Sequence, residues 1–246
     1  MTKYQWKDIA WRDLWLIPIF LIGQIAIGFM VIILTGIIFF MNVNLPDWIT
    51  SLDYYDIVET TSIVASYLLF VICFWLLHKS EMPERFRLGL QGVRRYWLWI
   101  IVAYVFMIVS LQAYGYLTQF IPEQYQYETT HNEEMLESLM AWNALLPLNF
   151  MFIVVLAPIV EEIVFRNFLI GELGKKFNIY VMGVISAVLF AGIHVISATS
   201  PFEIVEYLLL AIPMVWIYIK SGCNLGVSIT LHMLNNFVSF VLDIFF

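Results

Sequence analysis

Charge is what this sequence has least of. Only 13% of its 246 residues are Asp, Glu, Lys or Arg, against 62% hydrophobic and 17% aromatic. A soluble domain carries about 25% charged and 45–50% apolar residues, so a soluble fold is excluded and a polytopic membrane protein is indicated. There is no basic tract, which removes nucleic acid from the partners. Cysteine is scarce as well. Cys73 and Cys223 are the only two; both fall near predicted cytoplasmic helix ends, so free thiols are expected and no disulfide framework. No internal repeat, low-complexity segment or long linker interrupts the chain, and residues 1–246 read as a single membrane domain.

What is present instead is a series of apolar runs. The uncharged stretch from Leu14 to Met41 exceeds the roughly 7–15 residues of a signal-peptide core and is followed by no small-residue cleavage site, so it reads as a retained first span. Six further runs lie at about 60–77, 96–121, 142–165, 179–197, 205–219 and 224–245. A helical crossing needs about 20 residues. The expected fold is an all-α transmembrane helical bundle of about seven spans.

Basic residues are missing from every second connection. Threaded from a cytoplasmic N-terminus, the inner segments hold Lys3, Lys7, Arg12, then Lys79, Arg85, Arg87, Arg94, Arg95, then Arg166, Lys175, Lys176, then Lys220, which is every Lys and Arg of the chain. The outer segments 42–59, 122–141 and 198–204 hold none and are acidic. Positive charge stays inside. This sets the N-terminus in the cytoplasm and the C-terminus outside, in a multi-pass protein of the cell membrane. The outer acids, among them Asp47, Asp53, Asp56, Glu59, Glu133 and Glu137, are solvated faces on the plain reading and a receiving surface for a basic peptide on the sharper one. His78 and His131 fall in loops and are expected to be solvated.

A few ionisable residues remain inside the spans: Glu161, Glu162 and Arg166 in the fourth, His194 in the fifth and His232, with Asn236, in the seventh. A charge at the bilayer centre costs at least about 2.5–3.5 kcal/mol, so such residues mark function by default. Helix positions four apart share a face. Arg166 can therefore neutralise Glu162, which leaves Glu161, about 100° round the helix, for other work. His232 and Asn236 share the same spacing, as do Phe190 and His194, where the ring can wall the site. Pro147 and Pro158 are expected to kink the fourth span and free carbonyls near it.

Two acids, two histidines, an amide and a cation suit peptide hydrolysis in either of two ways. In one, His194, His232 and Glu162 ligate Zn²⁺ and Glu161 is the general base. In the other, which needs no metal, Glu161 and His194 activate water while His232 and Asn236 stabilise the oxyanion. No HExxH is present, so a soluble zincin-type site is excluded.

The segments EEIVFR (161–166), FAGIH (190–194) and HMLNN (232–236) resemble, in order and spacing, the EExxxR, FxxxH and HxxxN motifs of the CPBP intramembrane protease family. That family comprises the CAAX prenyl protease type 2 enzymes and their bacteriocin-processing and immunity relatives. The resemblance covers about 140–246, the three-motif core, and LGLQG (88–92) is similar to the family's upstream segment. It implies a helical-bundle (metallo)endopeptidase with Glu161, Glu162, His194, His232 and Asn236 at the active-site positions and Arg166 as the motif arginine. The substrate implied is a membrane-associated peptide or protein, processed CAAX-fashion or in bacteriocin or pheromone maturation or immunity. Asn167 departs from the glycine common after the arginine, which puts the local helix packing in question. The rivals are a non-catalytic membrane scaffold of the same fold and a proton-coupled transporter. A scaffold has no need of both Glu161 and His194, and a transporter of the usual kind shows an inverted repeat.

Overall fold

The computed structural model describes residues 5–41, 54–140 and 143–245. The helices are α1 (Leu16–Phe40), α2 (Tyr54–Leu77), α3 (Met82–Thr118), the short α4 (His131–Met140), α5 (Leu146–Lys175), α6 (Ile179–His194), α7 (Glu203–Lys220) and α8 (Leu225–Phe245). No strand occurs among the described residues. The chain is an all-α, multi-pass membrane bundle. Both cysteines are free.

Five helices among the described residues are long and apolar enough to cross a membrane. The other two expected spans fall short for physical reasons. The 16 residues of α6 reach only about 24 Å at 1.5 Å per residue, against a hydrocarbon core of about 30 Å, and α7 carries Glu203, Glu206 and Lys220 at its ends. Boundaries move as well. Asp56 and Glu59, placed in an outer loop by sequence, lie in the first turns of α2, while Asp47 and Asp53 lie outside the described residues. Residues 82–95, read as an inner loop, are the start of α3. The fourth span runs on past Arg166, so that arginine is a buried helix residue and not part of a connection.

The most buried span is α5, as its charges require. It meets α2 and the start of α1 through Leu16, Phe70, Phe74, Val160 and Ile163, α6 and α7 through Phe165, Ala187, Phe190 and Ala211, and α8 through Ile153, Val154 and Phe240. A second core of Ile100, Met107, Met214, Ile217, Val227 and Leu231 joins α3, α7 and α8. By contrast α1 touches chiefly α2 and shows Ile22, Ile25 and Phe29 to the lipid. Where the start of α3 crosses α8, Gly89 and Gly226 let the backbones approach: a Cβ on Gly226 would lie 2.6 Å from the Gly89 Cα. Small residues permit such close crossings in membranes. This gives the LGLQG segment a packing role.

The expected solvation of His78 is overturned. Its ring is 1% exposed, with Nε2 2.7 Å from Asp13 Oδ1 and Nδ1 2.8 Å from Arg12 Nη2. Glu81 joins this cluster through Arg12 at 2.8 Å and Arg85 at 2.9 Å. The turn after α2 thus clamps the chain entering α1, a contact local sequence does not reveal. His131 begins α4 with its side chain 34% exposed.

Candidate active site

Proline shapes the helix that carries the acids. In α5, short α-helical stretches at Leu146–Phe150 and Ala157–Glu161 alternate with π-helical ones at Met151–Leu156 and Glu162–Glu172. The Ala157 N–H donates to the Phe152 carbonyl, an i→i+5 bond. The next carbonyl in that ladder, Ile153, would need the nitrogen of Pro158, which carries no hydrogen. Asn236 Nδ2 donates to it instead, at 2.9 Å. The carbonyl that proline frees is what fixes the amide of α8 against α5.

Wide turns of this kind occur often at functional sites. Here they divide the two glutamates. Glu162 is fully buried and faces inward. Its Oε1 accepts from His232 Nδ1 at 3.0 Å, its Oε2 accepts from Ser228 Oγ, and Oε2 lies 3.3 Å from Arg166 Nε. Arg166, also fully buried, sets its guanidinium 4.7 Å from the Phe190 ring centroid and donates through Nη2 to Met214 Sδ at 3.4 Å. A delocalised cation over an aromatic face is favourable where water is excluded. Phe190 thus supports the arginine as well as walling the site; its ring also meets those of His194 and His232.

Glu161 faces the other way. Its Oε2 is buried without a hydrogen-bond partner, 3.9 Å from His194 Nε2 and 3.7 Å from His232 Nε2. Both imidazoles are held from behind: the Phe190 carbonyl accepts from His194 Nδ1 at 2.8 Å, and Glu162 accepts from His232 Nδ1. An Nδ1–H bond of this sort leaves Nε2 for the site and fixes the ring's orientation. Glu161, His194, His232 and Asn236 all line one cavity of about 510 Å³, within the range of ligand sites. The structure therefore brings together all the residues singled out by sequence, with Glu162 and Arg166 behind the cavity wall that carries the other five.

Some contributors had little or no signal in the sequence. Ser228 stands one helical turn before His232, a spacing that places it on the same face. Tyr207 stacks on His194 at 4.8 Å and Tyr67 lines the cavity beside Glu161; nothing local marks either. Asn167 is buried and accepts from Arg85 Nη1 at 3.4 Å, so the departure from glycine ties the motif helix to the cluster around His78.

Residues 143–238 match the family model described as type II CAAX prenyl endopeptidase, Rce1-like. The matched segment is similar to that family and covers less than half of the chain. All three motifs and each residue of the constellation lie inside the matched segment. The UPF0177 protein YaiF of Lactococcus lactis is 27% identical over 183 residues, covering 73% of this chain and 78% of YaiF. No solved structure matches. The cavity and the constellation around it lie largely within the segment that is similar to this endopeptidase family.

Proposed function

We propose that the protein is an intramembrane endopeptidase of the cell membrane that uses Glu161 to activate water. The observation that carries this is the unpartnered Glu161 Oε2 set between two imidazole Nε2 atoms in a cavity. A water seated over those three atoms is within hydrogen-bond reach of each. Glu161 takes its proton as the hydroxyl attacks the scissile carbonyl, and hands the proton to the leaving amine. His194, anchored on the Phe190 carbonyl, holds the water. His232, with Nδ1–H on Glu162, meets the tetrahedral oxyanion through Nε2–H as an imidazolium. Asn236 spends one amide hydrogen on Ile153 and has the second for the same oxyanion.

Zn²⁺ is weighed on the donor set. By atom type Glu161 Oε2, His194 Nε2 and His232 Nε2 fit it, rather than Glu162, whose oxygens already serve Ser228, His232 and Arg166. Their spacings from Glu161 are slightly wider than the roughly 3.3–3.5 Å between tetrahedral zinc ligands, and no closed ligand group is present among the described residues. Bound there, zinc would polarise the carbonyl and lower the pKa of its water. It would also engage Glu161, the carboxylate set against both imidazoles to move the proton, and this favours the mechanism without metal.

The orientation follows the charges: with every described basic residue except Arg166 towards the side of the N-terminus, that side is the cytoplasmic one. The substrate is a membrane-associated peptide or protein segment, as in CAAX-type processing or in bacteriocin or pheromone maturation or immunity. The test is mass spectrometry of peptide termini in cells carrying wild type or Glu161→Gln at equal abundance. Termini present only with wild type are expected, and they persist after treatment with a zinc chelator. Identical termini from both proteins would favour a scaffold, and chelator-sensitive cleavage restored by zinc would assign the three donor atoms to a metal.

A further inference from the structure

The cavity opens towards one face of the membrane and is closed towards the other. On the inner side of Glu161 lie Glu162, Arg166, Ile170, Ile217 and Leu231, each with no exposed surface, and Tyr218 at 1%. Tyr218 presses on the motif helix so closely that a Cβ on Gly171 would stand 2.6 Å from its hydroxyl. No residue of the basic connections 78–81, 176–178 or 221–224 lines the cavity. This buried layer separates the cavity from the basic connections.

On the opposite side the cavity is lined by α4 and by the last turns of α8, including Asn132, Glu133, Glu137, Ser239 and Asp243. His194 is the final residue of α6, so the shortness of that helix brings one end of the site to the rim. The connection ahead of α4 is fastened to the start of α7 by three bonds: His131 N–H to Glu203 Oε2 at 3.0 Å, Thr130 Oγ1 with the Tyr207 hydroxyl at 2.7 Å, and the Tyr127 hydroxyl to Glu206 at 2.8 Å. Leu136 and Met140 lay the apolar side of α4 against Ile153, Val154 and Phe240. A short amphipathic helix is thus held beside the mouth, in the part of the chain that has no basic residue.

We infer that the site is loaded from the extracytoplasmic side, so that its substrate is a peptide or protein segment displayed on the outer face of the membrane. This rests on the peptidase reading and the orientation given above. It separates this chain from an enzyme that trims cytoplasmic C-termini. A mouth bordered by Glu133, Glu137 and Asp243 admits neutral or cationic segments more readily than acidic ones.

Access can be read without any substrate. In the full-length protein with Cys73→Ser and Cys223→Ser, Glu137→Cys at the mouth and Arg94→Cys in the basic segment are treated in intact cells with a charged, membrane-impermeant maleimide. Position 137 is expected to label in intact cells, and position 94 only after permeabilisation. Termini that depend on Glu161 should then map to outer segments of their parent proteins. Loss of labelling at 137 in intact cells, or termini mapping to cytoplasmic segments, overturns the inference while leaving the peptidase reading in place. Labelling from outside together with no Glu161-dependent termini overturns the peptidase reading, and the substrate with it, but leaves the outward opening.

Discussion

Glu161 and Glu162 are neighbours in sequence with opposite surroundings. Glu162 has a cation, a hydroxyl and an imidazole on its two oxygens, so it is the carboxylate that positions. Glu161 keeps Oε2 for the cavity, which suits it to the reacting role proposed above. The i, i+4 spacing announced the Glu162–Arg166 pair, because helix geometry alone puts those side chains together. The role of Ser228 depends on how α8 meets α5 and was not legible. Arg166→Met tests the division. Removing one partner of a buried pair leaves an uncompensated charge, at a cost of about 3–5 kcal/mol. The variant should melt at lower temperature in detergent, whereas Glu161→Gln, at a carboxylate with no cation of its own, should melt close to wild type. Equal melting of Arg166→Met and wild type would remove the arginine from the structure's supports.

At the scale of elements, the freed carbonyl expected from Pro158 is found at Ile153, whereas Pro147 lies in the first turn of α5, where proline is accommodated without breaking the helix. The attachment of α1 was not readable. That helix is largely surrounded by lipid, and its anchor is the buried Asp13–His78 contact, both side chains at most 1% exposed. The two residues are 65 positions apart, and a histidine after a span looks solvated until the chain's path is known. His78→Leu would leave Asp13 without its ring partner, at a cost of several kcal/mol by the same argument as for Arg166. The expected outcome is faster proteolysis in the Trp11–Trp15 segment in detergent, with α5 and α6 still protected. Protection unchanged at Trp11–Trp15 would show that α2 alone holds α1.

At the scale of the molecule, stability at low pH is tied to the same cluster. Arg85, helped by Arg12 and His78, holds the Glu81 carboxyl down to about 2 from an ordinary 4.5, against some opposing burial. A carboxylate depressed on folding contributes stability above its unfolded pKa and loses it as pH falls through the folded one. The difference in melting temperature between wild type and Glu81→Gln should therefore be constant above about pH 5 and shrink between about 4.5 and 2. A difference that grows as pH falls would have the wrong sign for this pairing.

The sequence by itself determined the membrane class, five of the seven expected spans and the residues of the constellation. All three follow from one local cost, that of placing charge in hydrocarbon, which every residue pays wherever the rest of the chain lies. Tertiary structure alone decided which glutamate faces the cavity, what holds each imidazole, that His78 is buried and that the cavity opens beside α4. Those depend on which helices meet and at what depth, and contacts between residues tens of positions apart leave no mark in a local pattern.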